Sequence, residues 1–278
     1  MFIQRLLQTL KNPYGALYSD AFIFRRLPEK RKHAWLVAAP KSGSTWLSVL
    51  LEEGLGWETL RLIPEDILRE EVPELMRFMH LSRSHHVFTP RTHTRYSRTV
   101  RRLVERTNIR VILQVRNIFD TVISYLDHLN DNRTGYIVPA AFMNRHSWTQ
   151  LSDSEKISFI IEMVVPWYFS FYCGWMTSPL MQDGHIYVCR YEHLKSDPLE
   201  ELQRILHYLD EDREESFLRE VLEASEQKPT KKNYGFVGRG RLHLTDEQKA
   251  KIASCASFYR DIDFEPLGIT HLLNGNGD

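Results

Sequence analysis

Short apolar runs alternate along the chain with longer stretches in which apolar residues recur at helical spacing. The segments 34–39, 86–89, 110–115 and 185–189 predict strands, since runs rich in Val, Ile and Leu between polar flanks suit a pleated, buried surface. Between them, 44–53, 95–106, 119–129 and 154–175 predict helices. Three more follow over 198–209, 214–224 and 245–259, the last opened by a Thr-Asp-Glu cap signal. Strand and helix in alternation predict an α/β protein: a parallel central β-sheet flanked by helices on both faces, in one domain over 1–278. In such a sheet the ligand lies beyond the carboxyl ends of the strands.

The first strand runs directly into Pro40-Lys41-Ser42-Gly43-Ser44-Thr45-Trp46. Gly43 lets backbone approach a ligand without a Cβ in the way, and the first amides of the following helix lack intrahelical acceptors. Lys41 adds a charge, while Ser44 and Thr45 add hydroxyl donors, so the turn predicts a phosphate cradle. The Walker A order GxxxxGK[ST] is absent, because Lys41 precedes the glycine. A second anion site is expected where the strand 110–115 delivers Arg116-Asn117 to a helix start. Ser124 lies one turn beyond Asp120 on the same face, so arginine and serine can hold one phosphate from two sides. A salt bridge from Arg116 to Asp120 is the plainer alternative.

Composition narrows the partners. Lys plus Arg and Asp plus Glu are equal at 36 each, which argues against broad nucleic-acid binding. Charge is nonetheless uneven: from Arg83 to Val104 there are six arginines and no acid, and from Gln227 to Thr245 five basic residues and no acid. Either stretch suits an anionic ligand or a solvated face. Cys173, Cys189 and Cys255 are too scattered for a disulfide framework or zinc site, which predicts a reducing, cytoplasmic setting and no bound metal. His85 and His86 are read as structural. Met1 to Leu10 has helical apolar spacing and predicts a docking helix, with a membrane-surface anchor as the alternative. Phe159 to Met176 is interrupted by Glu162 and Pro166, so a buried helix is expected there and no transmembrane segment. Its aromatics, with Trp148, line a core or an acceptor pocket.

Two anion sites at two strand ends imply a ligand with two separated phosphates. PKSGSTWL resembles the 5′-phosphosulfate loop PKSGTTWL of the PAPS-dependent sulfotransferases, and RNIFDTVISYLDH resembles their 3′-phosphate motif RNPKDVAVSYYHF. Arg91-Thr92-His93 resembles the family's KTH segment with arginine at the lysine position, and RYEHLKSDP resembles RYEDMKEDP. Phe236-Val237-Gly238-Arg239-Gly240 is similar to the start of the cofactor-covering FRKGxxGDW loop, expected over 225–245, but the GDW half is missing.

The resemblance implies a P-loop NTPase-like sulfotransferase fold with 3′-phosphoadenosine 5′-phosphosulfate (PAPS) as cofactor and PAP as product. It implies His93 as catalytic base, with Lys41 and Arg91 at the transferring group. Lys41, Ser42, Gly43, Ser44 and Thr45 would bind the 5′ end, and Arg116 and Ser124 the 3′-phosphate. Tyr191 and Trp46 would flank the adenine, Arg239 and Gly240 would come from the covering loop, and Ser225 falls near a family adenine contact. The sulfate acceptor would be a small molecule, lipid or glycan bearing a hydroxyl or amine. A kinase-like nucleotide-binding protein and a noncatalytic PAP or polyanion binder are the alternatives.

Overall fold

The computed structural model describes residues 31–62, 85–131, 143–227 and 236–270. The segment 1–30, and with it the expected docking helix, lies outside the described residues, as do 228–235 of the expected covering loop. The chain order begins β1 (His33–Ala38), α1 (Ser44–Leu55), β2 (Glu58–Thr59), β3 (Val87–Thr92), α2 (Arg98–Thr107), β4 (Ile109–Val115) and α3 (Ile118–Asp131). It continues with α4 (Arg145–Gln150), α5 (Asp153–Phe159), α6 (Val165–Met176), α7 (Pro179–Gln182), β5 (Ile186–Arg190), α8 (Tyr191–Ser196), α9 (Pro198–Tyr208), α10 (Glu215–Gln227), α11 (Arg239–His243) and α12 (Asp246–Ser254).

The strands form one five-stranded sheet in the order β2-β3-β1-β4-β5, every pair parallel. β1 is central and buried along its whole length. Its alternating side chains feed two cores. Trp35 and Val37 join Val111, Leu113 and Val115 beneath α2, α3 and α6, whereas Ala34 and Leu36 join Phe88, Ile112 and Cys189 beneath α1, α9 and α10. Burial on both faces explains why these strands read as continuous apolar runs. Each fully buried large side chain contributes about 1.5–3 kcal/mol.

Three departures from the expected elements have local causes. β2 was not expected, because its two exposed residues carry no apolar pattern. The run 154–175 is broken by a π-helical turn at Ile160–Val164, where Pro166 has no N–H to donate to the carbonyl four residues earlier. Asp153–Met176 is long and apolar enough to cross a membrane by length and composition, yet Phe169, Phe171, Tyr172 and Trp175 on it are buried in the protein core.

The third departure matters most for function. β3 was expected to end at Thr89, before Pro90, but it continues to Thr92. The register against β1 runs Trp35 to Thr89 and then Val37 to Thr92, so β3 carries one extra residue. Proline cannot donate to the ladder, and a bulge accommodates it. Without the bulge, Arg91 would follow Val87 and Thr89 onto the buried face. Instead Thr92 takes that place, accepting a hydrogen bond from Trp35 Nε1 at 2.9 Å, and Arg91 is exposed.

His33 begins β1 with 2% exposure and has Nε2 2.8 Å from Thr89 Oγ1. Burial, with a smaller contribution from the Arg31 charge, lowers its pKa to about 3. An unfolded histidine titrates near about 6.5, so between these values the unfolded chain binds more protons. Stability from this site is complete above the unfolded value and is lost as pH falls toward 3. Urea unfolding across that window should show a falling midpoint, with a flatter slope in His33→Asn; equal slopes would remove His33 as the cause.

Candidate active site

The loop after β1 turns through two left-handed residues, Lys41 at φ 67° and Gly43 at φ 86°. The Ser42 hydroxyl donates back to the Ala39 carbonyl at 2.7 Å, so this side chain serves the turn. Gly43 is the N-cap of α1, and no side chain caps the helix. The leading amides of α1 therefore lie at the mouth of the loop, an arrangement suited to an anion.

Both flanks hold this loop. On one side the Tyr168 hydroxyl from α6 donates to the Pro40 carbonyl. Burial raises the Tyr168 pKa well above its ordinary value, so the phenol remains a donor. On the other side Arg116, 8% exposed, donates from Nη1 to the Lys41 carbonyl at 3.2 Å. Its guanidinium carbon lies 4.4 Å from the centre of the Tyr191 ring, a cation–π geometry. A Cβ on Gly43 would lie 2.4 Å from Tyr191 Cδ2, so the ring fills the space that the glycine leaves. Tyr191 thus joins the two expected anion sites.

Arg116 is not paired with Asp120, which turns to the backbone of Gly238 and Gly240 at 2.7 Å each. Among the described residues Arg116 Nε is buried without a hydrogen-bond partner, and Ser124 is 5% exposed on α3. Asn117 starts α3 by accepting from the Phe119 amide at 3.0 Å, and its own amide donates to Glu192 at 2.9 Å. The Arg-Tyr-Glu segment after β5 therefore touches both anion elements.

His93 follows the β3 bulge. Its Nδ1 lies 2.7 Å from the Ala38 carbonyl oxygen. A carbonyl has no proton to give, so Nδ1 carries the hydrogen, and in the neutral ring Nε2 is the basic nitrogen. Arg91 Nη1 donates to Thr45 Oγ1 at 3.1 Å. The Thr94 carbonyl accepts from Trp175 Nε1 at 3.1 Å, fixing the segment onto α6. On the opposite side, Trp46 Nε1 donates to Ser225 Oγ at 3.3 Å, and Lys195 Nζ lies 5.6 Å from its ring centre.

A family model described as Sulfotransferase domain matches residues 31–256. The chain belongs to the sulfotransferase domain family. The fold expected from its sequence is borne out, and the expected reaction, sulfuryl transfer from PAPS, is that of the family. The sulfotransferase resembles the crystal structure of mouse sulfotransferase SULT7A1 complexed with PAP, with a TM-score of 0.62 at 16% identity, covering 84% of this chain and 86% of that one. It also resembles a retinol dehydratase crystallised with androsterone and PAP, with a TM-score of 0.56 at 14% identity, covering 83% and 81% of the two chains. No curated protein sequence was found to match.

The sulfotransferase fold gathers the sequence-predicted residues at one end of the sheet. Arg91 bonds to Thr45 and Arg116 to the Lys41 carbonyl, while His93 bonds to Ala38, at the end of β1 where the loop begins. Arg239 reaches α3 through Asp127 at 2.6 Å. Asp120 stood in the matched motif, but its partners lie over a hundred residues away in sequence. Tyr168 was read only as a core or pocket aromatic, and its bond to the loop has no local signature. Among the described residues no group of three or more His, Cys, Asp or Glu side chains is placed to hold a metal.

Gly43→Ala should destabilise the fold by about 1–3 kcal/mol, through left-handed strain and overpacking against Tyr191. Denaturant midpoints in a double-mutant cycle with Tyr191→Ala should show a smaller penalty once the ring is gone; strict additivity would mean that the two do not compete for space.

Proposed function

We propose that this protein moves the sulfuryl group of PAPS to a hydroxyl or amine of a small-molecule, lipid or glycan acceptor, with His93 as general base. The observation that carries the reading is the hydrogen bond from His93 Nδ1 to the Ala38 carbonyl, at the edge of the phosphate loop. It fixes the tautomer whose Nε2 can accept the acceptor's proton, within the pH range where histidine serves best.

The residues present fit the nucleotide. The loop offers uncapped helix amides and a glycine cradle, and the second site offers a buried guanidinium whose Nε has no partner among the described residues. PAPS supplies the activated sulfuryl group when bound. Thr45, Ser44 and the leading amides of α1 would hold the 5′-phosphate, and Arg116 with Ser124 the 3′-phosphate. Trp46, held by Ser225, would flank the adenine with Tyr191. The Lys41 ammonium would offset charge on the oxygen that leaves with the phosphate, and Arg91 would steady the sulfuryl oxygens from its anchor on Thr45. Positioned charges of this kind are expected to supply most of the acceleration, since little covalent chemistry falls to the protein.

The acceptor lies on the side where Arg91, His93 and Arg95 succeed one another, with Arg95 donating to Ser170 on α6 at 2.6 Å. A cytoplasmic setting belongs to the same reading and is supported by three free thiols. A noncatalytic PAP binder is the reading to exclude by experiment.

His93→Ala should abolish transfer from PAPS across an acceptor panel while leaving calorimetric PAP affinity nearly intact, because the base acts on the acceptor. Wild-type turnover in the variant would remove His93 from the mechanism, and PAP binding by the native protein without turnover on any acceptor would favour the noncatalytic reading. Arg116→Ala should weaken PAP by about 1.5–3 kcal/mol, the range for a charged hydrogen-bonding contact. Unchanged affinity would count against a 3′-phosphate site at Arg116.

A further inference from the structure

Asp120 is 2% exposed in the first turn of α3, beside a site read as binding an anion. A buried carboxylate there repels the ligand unless its charge is offset by donors. Both oxygens are in fact occupied: Oδ2 accepts from the Gly238 amide and Oδ1 from the Gly240 amide, each at 2.7 Å. The Asp120 amide in turn donates to Asn117 Oδ1 at 3.3 Å, so the carboxylate stands on a capped helix start.

The segment it holds is shaped for this contact. Gly238 has φ 92°, a left-handed conformation that precedes α11. At Gly240 a Cβ would lie 2.4 Å from the Phe119 carbonyl carbon, so only glycine lets α11 lie flush on α3. Between the two glycines, Arg239 pairs with Asp127 at 2.6 Å, with side-chain exposures of 16% and 25%. Asp120, Ser124 and Asp127 share one face of α3, so the serine lies between the two acids that seat the segment.

We infer that Asp120 is a positioning residue for the 3′-phosphate site, fixing the Gly238–Gly240 turn against α3 beside the face bearing Ser124. The inference rests on the assignment of Arg116 and Ser124 to the 3′-phosphate. The two glycines serve the docking of the turn, and Arg239 between them is anchored on α3 by Asp127. The 5′-phosphate loop is built on β1 and α1 and does not depend on this turn, so the effect is selective for one end of the nucleotide.

The test compares PAP with AMP, which lacks the 3′-phosphate, in calorimetric titrations of the full chain. Wild type should prefer PAP; equal affinity for both overturns the 3′-phosphate reading, and this inference with it. If wild type discriminates, Asp120→Asn should weaken PAP by about 10-fold or more, because one amide loses its charged acceptor and meets an amide donor instead. AMP affinity should change by less than about 2-fold, and in steady state KM for PAPS should rise with kcat nearly held. Gly240→Ala, which forces α11 away from Phe119, should reproduce the selective loss and carries the test alone if Asp120→Asn does not fold. Equal losses for PAP and AMP in either variant would reduce Asp120 to general stability, and no loss for PAP would overturn the assignment.

Discussion

Lys41 holds a left-handed backbone conformation that a side chain disfavours by about 1–2 kcal/mol. The surrounding structure must supply that energy, and the two carbonyls on either side of the turn indicate how it does so. Pro40 accepts from Tyr168 on one flank and Lys41 from Arg116 on the other. Neither donor is adjacent in sequence; one comes from the helix that covers the first core, the other from the end of β4. The loop is therefore rigid because the sheet order places β1 in the middle and the exits of β3 and β4 on either side of it. Strain at this position persists because several elements over-determine it, the usual condition at ligand-binding turns.

The same arrangement explains why the expected base is a histidine one residue beyond a bulge. Parallel strands β1 and β3 end side by side, so whatever follows β3 lies next to the phosphate loop. The extra residue at Pro90 changes which side chains face inward, sending Thr92 to the core under Trp35 and Arg91 outward to Thr45. His93 then bonds to the last carbonyl of β1. A proline that looks like a strand terminator is here the device that re-aims Thr92 and Arg91, at the loss of one ladder hydrogen bond.

What the sequence disclosed followed from local physics. The strands were legible because buried parallel strands are apolar on both faces, and the loop at Lys41 to Trp46 because glycine, lysine and hydroxyl residues after a strand have few other uses. The extension of β3 past Pro90, the π turn before Pro166 and the short helices α4, α7, α8 and α11 were not, since each depends on tertiary contacts that outweigh local preference. Among the site residues, motif positions were legible one by one, but not their partners. Tyr191 was expected beside an adenine; its ring also fills the space over Gly43 and carries Arg116, a contact visible only once β5 is set beside β4. Arg116 had Asp120 as an obvious partner four residues on, and the fold separates them by giving the acid two backbone amides.

That separation follows from electrostatic necessity. An arginine meant to receive an anion loses much of its attraction if a carboxylate already neutralises it, and a carboxylate beside an anion raises the energy of the bound state. Here Arg116 is held by a neutral carbonyl and the face of a phenol ring, contacts that orient the guanidinium without cancelling its charge. Asp120 is turned toward neutral amides, which offset its charge without consuming an arginine. Among the described residues no carboxylate pairs with Arg116, although an acid stands four residues on, and the docking of the Gly238–Gly240 turn supplies the donors that make this partition stable.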